Sequence, residues 1–174
     1  MMETSIIQEF ALFINEVNKY TEGVHFLNPG AELSVIEGFE KSNNISLPKQ
    51  YKNFLRLHNG GELFRPGVVL AAIYNGKTGD KKIGVPYLDE SLSRHRRLPG
   101  MPNNLLIIAD MNYGDPICIA LNHSDDESKV VQWSIEDGNI SREWDSFTEW
   151  LSNTIEEGSM LVSYDGSEKE LDFL

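Results

Sequence analysis

Ile45-Ser46-Leu47-Pro48-Lys49-Gln50-Tyr51-Lys52-Asn53-Phe54-Leu55-Arg56-Leu57-His58-Asn59-Gly60-Gly61 is a short helix with both ends written in its residues. Pro48 suits the first helical position, where its fixed φ fits and its missing N–H costs nothing, with Ser46 or Leu47 at the cap. Tyr51, Phe54, Leu55 and His58 recur at three- and four-residue spacing, which is one face of a helix. Asn59, Gly60 and Gly61 stop it, because glycine reaches the left-handed conformation that ends helices. His58, near that end, reads as a partner for the helix dipole and a packing group. No residue of this set, so arranged, performs chemistry, so the stretch is structural.

Working outward, Ser5 to Tyr20 reads as an amphipathic helix with Ile6, Ile7, Phe10, Phe13, Ile14 and Val17 on one stripe. Asn28-Pro29-Gly30 is a turn, and Ala31 to Asn43 is a second helix with Leu33, Ile36 and Phe39 recurring. After Gly61 the pattern changes to a β-rich run, Val68 to Tyr74. Residues 81–104, with Pro86, Pro99, Gly100 and Pro102, read as a long excursion with a short helix near Leu88 to His95. Leu105 to Ala109, Ile117 to Leu121, Lys129 to Ile135 and Ile140 to Trp144 follow as strands, and Ser146 to Ile155 as a C-terminal helix. The links between these strands are too short for crossovers, so that part of the sheet is expected to be antiparallel. N-terminal helices, a mainly antiparallel central sheet and a C-terminal helix packed on it make an α+β fold. At 174 residues the chain is expected to be a single domain, 1–174. Its tail, 158–174, is apolar enough at Met160-Leu161-Val162 and Leu171-Asp172-Phe173-Leu174 to dock.

The formal net charge of −12 is unevenly placed. Residues 1–98 balance at +1, whereas residues 99–174 carry 3 Lys+Arg against 16 Asp+Glu, a balance of −13. Such a field repels nucleic acid and anionic membrane and speeds encounter with a basic partner. No apolar run approaches the roughly 20 residues a membrane span needs. With no secretory pattern at Met1 to Phe10 and one cysteine, Cys118, a reducing cytoplasmic location is expected.

Candidate chemistry is sparse. Cys118 lies in an apolar strand, and the pattern does not say which face it takes; a packed small hydrophobe is the simpler reading than a nucleophile served by His123. His25, His58, His95 and His123 share no ligand spacing, and no Cys-x-x-Cys occurs, so no metal is expected. No glycine pattern holds phosphate, so no cofactor is expected. Asp110 and Asp115 flank a turn and could approach each other, but carboxylates that cap turn N–H groups are far commoner than acid–base pairs. Arg94-His95-Arg96-Arg97 is too short, in so acidic a chain, to argue nucleic-acid binding. The expectation is a protein that is not an enzyme. Trp133 and Trp150 read as core, while Trp144, between Glu143 and Asp145, reads as a half-exposed contact.

Leu47, Pro48, Tyr51, Phe54, Leu55, Asn59, Gly60 and Gly61 together form a pattern, Leu-Pro-x-x-Tyr-x-x-Phe-Leu-x-x-x-Asn-Gly-Gly, that resembles the SUKH superfamily, the Smi/Knr-like cell-wall-assembly-regulator family. The resemblance continues at Leu105 to Asp110, at Gly114-Asp115, at Val130-Val131-Gln132-Trp133 and at Ser146-Phe147-Thr148-Glu149-Trp150-Leu151, and so covers about 31–155. It implies that the motif residues, with Gly114, Asp115, Trp133, Phe147 and Leu151, are structural. It also implies a non-enzymatic protein-binding domain: bacterial relatives act mostly as immunity proteins that neutralise a toxin, often a nuclease, and fungal relatives as scaffolds or regulators of cell-wall assembly. A nuclease holds phosphate on a basic face, which the acidic second part could attract. The expected contacts with a basic toxin domain are Asp125, Asp126, Glu127, Glu136, Asp137, Glu143, Trp144 and Asp145.

Overall fold

The short connections after Leu105 make the sheet a meander, and the meander extends back to the first strand. The computed structural model describes residues 3–74, 87–89, 98–111, 114–121 and 128–170. Among these residues the helices are α1 (Thr4–Glu9), α2 (Ala11–Val17), α3 (Leu33–Asn43), α4 (Lys49–Leu57) and α5 (Phe147–Leu161). The strands are β1 (Phe26–Leu27), β2 (Gly61–Leu63), β3 (Val68–Leu70), β4 (Leu105–Asp110), β5 (Pro116–Ala120), β6 (Val130–Ser134) and β7 (Asn139–Trp144). They lie in the order β1-β2-β3-β4-β5-β6-β7, and every neighbouring pair is antiparallel. The α+β class expected from the sequence is the class the chain adopts.

The helices cover one face of the sheet. Leu106 and Ile108 of β4, Ile117 and Ile119 of β5 and Val130 of β6 meet Ile36, Phe54, Phe147 and Trp150 there. The alternate residues, Leu105, Ile107, Cys118, Ala120, Val131 and Trp133, form a second cluster on the other face with Met101 and Leu98. Burial on both faces explains why Leu105 to Ala109 is apolar without alternation. Cys118 is fully buried in this second cluster, paired in register with Ile107 and Val131.

Three helix boundaries differ from expectation. The first helix breaks at Phe10 (φ −106°, ψ 19°), so that Ile6, Phe10 and Phe13 all reach the core while Ile7 is left exposed. Phe10 and Phe13 each set a ring edge on Phe54 with centroids 5.6 Å apart. Pro48 is the cap of α4, with ψ 143°, and not its first helical residue; its carbonyl accepts from Lys52 N–H. Leu47 N–H is taken by Glu40 Oε1 of α3 at 2.7 Å. The last helix runs six residues past Ile155. Ser146 caps it, accepting from Glu149 N–H, while Glu149 Oε2 accepts from the N–H of Asp145, one residue before the cap, a variant of the box that Ser146-Phe147-Thr148-Glu149 spells. The tail beyond it folds back through backbone bonds and not through the apolar residues expected to dock, since Met160 and Leu161 stay exposed and 171–174 lie outside the described residues: Val162 pairs with Glu168, and Tyr164 C=O accepts from Thr21 N–H at 2.8 Å. The β-rich run from Val68 is a strand only to Leu70, and most of the 81–104 excursion lies outside the described residues; of its expected helix only Leu88 and Asp89 are described, and both are helical.

The end of α4 is built around Asn59. His58 is already extended (φ −143°, ψ 117°), so the helix stops before the glycines. The buried Asn59 side chain donates to Ile73 C=O at 2.8 Å and accepts from Ile73 N–H at 2.7 Å, copying the two-bond exchange of paired strands. Its own carbonyl accepts from Asn28 Nδ2 at 2.9 Å. The glycines are there for close approach as well as for their positive φ of 74° and 143°. A Cβ on Gly60 would lie 2.8 Å from Leu70 C=O, and one on Gly61 would collide with the Phe26 carbonyl.

Asn59→Ala leaves both polar groups of Ile73 without their partner. At about 1–3 kcal/mol for each orphaned group, we expect a loss of about 3 kcal/mol. Urea unfolding followed by fluorescence measures it; a loss of under about 1 kcal/mol would show that water replaces the side chain at no great cost.

Candidate functional site

Of the acidic residues expected to meet a partner, Glu143 lies in β7, Glu136 and Asp137 precede the strand and Asp145 follows it. Among the described residues this strand ends the sheet and pairs with β6 alone, and it exposes five of its six residues. Glu136 and Asp137 sit in the β6–β7 turn. Asp137 builds that turn: its N–H donates to Ser134 Oγ and its Oδ2 accepts from the same hydroxyl, both at 3.1 Å. Gly138 takes a φ of 64° there. Glu143 and Asp145 lie at the opposite end of the strand, about 17 Å away at the usual rise per residue. Glu143 stands 3.8 Å from Lys129 Nζ, with both side chains exposed, a pairing of little energetic weight. The acids therefore stand in two groups at the ends of the strand, with Arg142 between them, and do not converge on one point. Asp125, Asp126 and Glu127 lie outside the described residues.

Trp144 departs from expectation. It is 8% exposed, packed on the helix side of the sheet, not half-exposed. Alternation puts it opposite Val130, on the face that α5 covers. Its indole N–H donates to Asn153 Oδ1 at 3.4 Å, and the Arg142 guanidinium stacks 4.8 Å from its ring while bonding Glu157 at 2.8 Å. Arg142 thus caps the tryptophan, and flanking acids on the exposed side gave the misleading signal.

The motif residues occupy structural places. Leu47, Tyr51, Phe54 and Leu55 are buried, and Phe147 of α5 sets its ring 5.3 Å from Tyr51 and 5.2 Å from Phe54; Leu151 is buried in the same cluster. Gly114 has a φ of 109° with open space around it, so conformation alone demands glycine. Asp115 Oδ1 accepts from Ile135 N–H at 3.0 Å, fastening the β4–β5 turn to the end of β6. Trp133 is buried on the face away from the helices. Asp110 lies opposite Pro116 in the ladder. His95 and His123 fall outside the described residues, and among the described residues no three His, Cys, Asp or Glu side chains gather as metal ligands.

A recess that the sequence did not disclose lies between α2, β1 and the end of α4. Its volume is about 240 Å³, and Phe13, Ile14, Val17, Asn18, His25, Leu27 and His58 line it. Each histidine has one ring nitrogen committed. His58 Nδ1 stands 3.0 Å from Asn28 C=O, a pure acceptor, so Nδ1 carries the proton. His25 Nδ1 accepts from Phe64 N–H at 3.1 Å, so its proton is on Nε2. Burial lowers the pKa of His25 to about 4. It lowers that of His58 as well, partly opposed by the bond to Asn28. His58 is therefore neutral at pH 7 and not the cationic dipole partner expected of it. The two histidines are 33 positions apart in sequence, and no periodicity joins them.

These shifts predict acid sensitivity. The unfolded histidine titrates near 6.5 and folded His25 near 4, so the unfolded state binds more protons between those values. Stability from this group is full above about pH 6.5 and is lost as pH falls toward 4. The drop in Tm between pH 7.5 and 5 should be smaller in His25→Gln than in the parent chain; an equal drop assigns the acid sensitivity to other groups.

The chain matches the model of the SMI1 / KNR4 family (SUKH-1) over residues 30–153. No curated protein matches it. Among solved structures it is similar to a protein from Pseudomonas syringae pv. tomato, at 18% identity and a TM-score of 0.60, covering 84% of this chain and 98% of that one. That likeness is one of fold.

Proposed function

Because the chain belongs to the SMI1/KNR4 (SUKH-1) family, we propose that it is a non-enzymatic immunity protein that binds and neutralises a basic toxin domain. Domains of this family are of immunity or regulatory type. The observation that carries the reading to a surface is the charge of −13 over residues 99–174 combined with an open, exposed strand at the sheet edge. Glu136, Asp137, Glu143 and Asp145 supply negative charge at the two ends of this edge, and Asp125, Asp126 and Glu127 add to the same charge. A basic, phosphate-holding face would be drawn to such an edge by long-range attraction and held by contacts along β7. Trp144 contributes by holding β7 against α5, not by touching the partner. No helix among the described residues is long and apolar enough to cross a membrane.

The test is affinity capture by the whole chain at low and moderate salt, repeated with the triple variant Glu136→Lys, Glu143→Lys, Asp145→Lys. One basic toxin-like partner, bound about tenfold or more weakly by the folded variant, is the expected result. Capture of that partner with undiminished affinity by the variant would remove the β7 edge as the contact surface. Weak capture of several envelope or regulatory proteins would replace immunity with a scaffold role.

A further inference from the structure

We propose that the recess between α2, β1 and the end of α4 is a binding site for a small uncharged ring compound bearing a hydroxyl group, of the phenol class. Its walls are apolar: Phe13, Ile14 and Val17 on α2 face Leu27 of β1. Among the described residues no Lys, Arg, Asp or Glu lines it, so a charged ligand would lose its hydration with no counter-charge to replace it. A volume of about 240 Å³ exceeds the 150 Å³ of an apolar protein cavity known to take up benzene. One aromatic ring with a substituent therefore fits.

The hydroxyl follows from the histidine tautomers. With its proton on Nδ1 and given to Asn28 C=O, His58 offers an Nε2 lone pair that no donor among the described residues takes up. A ligand O–H can donate to it. The His25 Nε2–H is shut off from solvent, so the hydroxyl is assigned to His58 alone and the His25 ring serves only as wall. The same tautomers argue against a metal bridging the two rings. That would need a lone pair on His25 Nε2, and the Phe64 N–H at Nδ1 keeps the proton on Nε2. An apolar recess with a few oriented polar groups is the usual make-up of a small-molecule site. β1 and β7 are opposite edges of the seven-stranded sheet, so the recess is separate from the proposed partner-binding edge and stands or falls independently of it.

p-Cresol is the probe, titrated into the whole chain at pH 7 with thermal unfolding and histidine-ring NMR as readouts; toluene is the control without a hydroxyl. We expect saturable p-cresol binding that raises Tm, perturbs the His58 ring signals, and is about tenfold tighter than toluene binding. His58→Phe should bring p-cresol down to the affinity of toluene, and Val17→Trp should fill the recess and abolish both. Blocked tyrosine (N-acetyl-tyrosinamide) separates the two sources of a phenol. Binding as tight as p-cresol points to a partner's side chain, and weaker binding to a free compound. Equal affinity for p-cresol and toluene would overturn the hydroxyl assignment, and no saturation by about 10 mM would overturn the site. Both comparisons use the parent chain, so they decide the matter even if a variant fails to fold.

Discussion

One side chain, Asn59, ties the end of α4 to the segments that follow β1 and β3. Its amide exchanges two hydrogen bonds with the backbone of Ile73, and its carbonyl holds Asn28. A helix end, the residue leading out of β1 and the run beyond β3 meet in these three bonds. All are buried, so each exchanged hydrogen bond must be matched or a desolvation penalty is incurred. Gly60 and Gly61 follow from the same constraint, since β1 and β3 approach too closely for a Cβ. With that junction fixed, the aromatic face of α4 is aimed at Phe10, Phe13 and Phe147, and the helical layer closes around it.

Much of this was legible in the residues because local chemistry and global packing agree. The face of Tyr51, Phe54 and Leu55 is buried as its spacing requires, and the short links after Leu105 leave no option but antiparallel pairing. The cap at Ser146 and Glu149 starts α5 where the sequence does. Boundaries went astray where tertiary contacts overrode local preference. Phe10 breaks a helix to reach the core, and His58 turns extended so that Asn59 can reach Ile73.

The site was less legible, and for a different reason. Acidity is a sum over residues, so the charge of the second part could be read directly, whereas the placement of Glu136 and Glu143 at opposite ends of one strand could not. Trp144 was misassigned because its neighbours face solvent while strand alternation turns it inward, under Arg142. The His25–His58 recess left no trace in the sequence, because its walls come from three elements with no shared period. Only coordinates give the bond of each ring to a backbone group, and with it the tautomer.

The meander and the helical layer assemble on different schedules. β1–β2 and β3–β4 close over more than thirty residues each, but from β4 to β7 each strand meets the next across a short link, so this part of the sheet can form through short-range contacts. The helical layer cannot, because Phe147 of α5 must reach back across nearly a hundred residues to Tyr51 and Phe54. During synthesis, then, the aromatic face of α4 waits uncovered on that side until α5 leaves the ribosome.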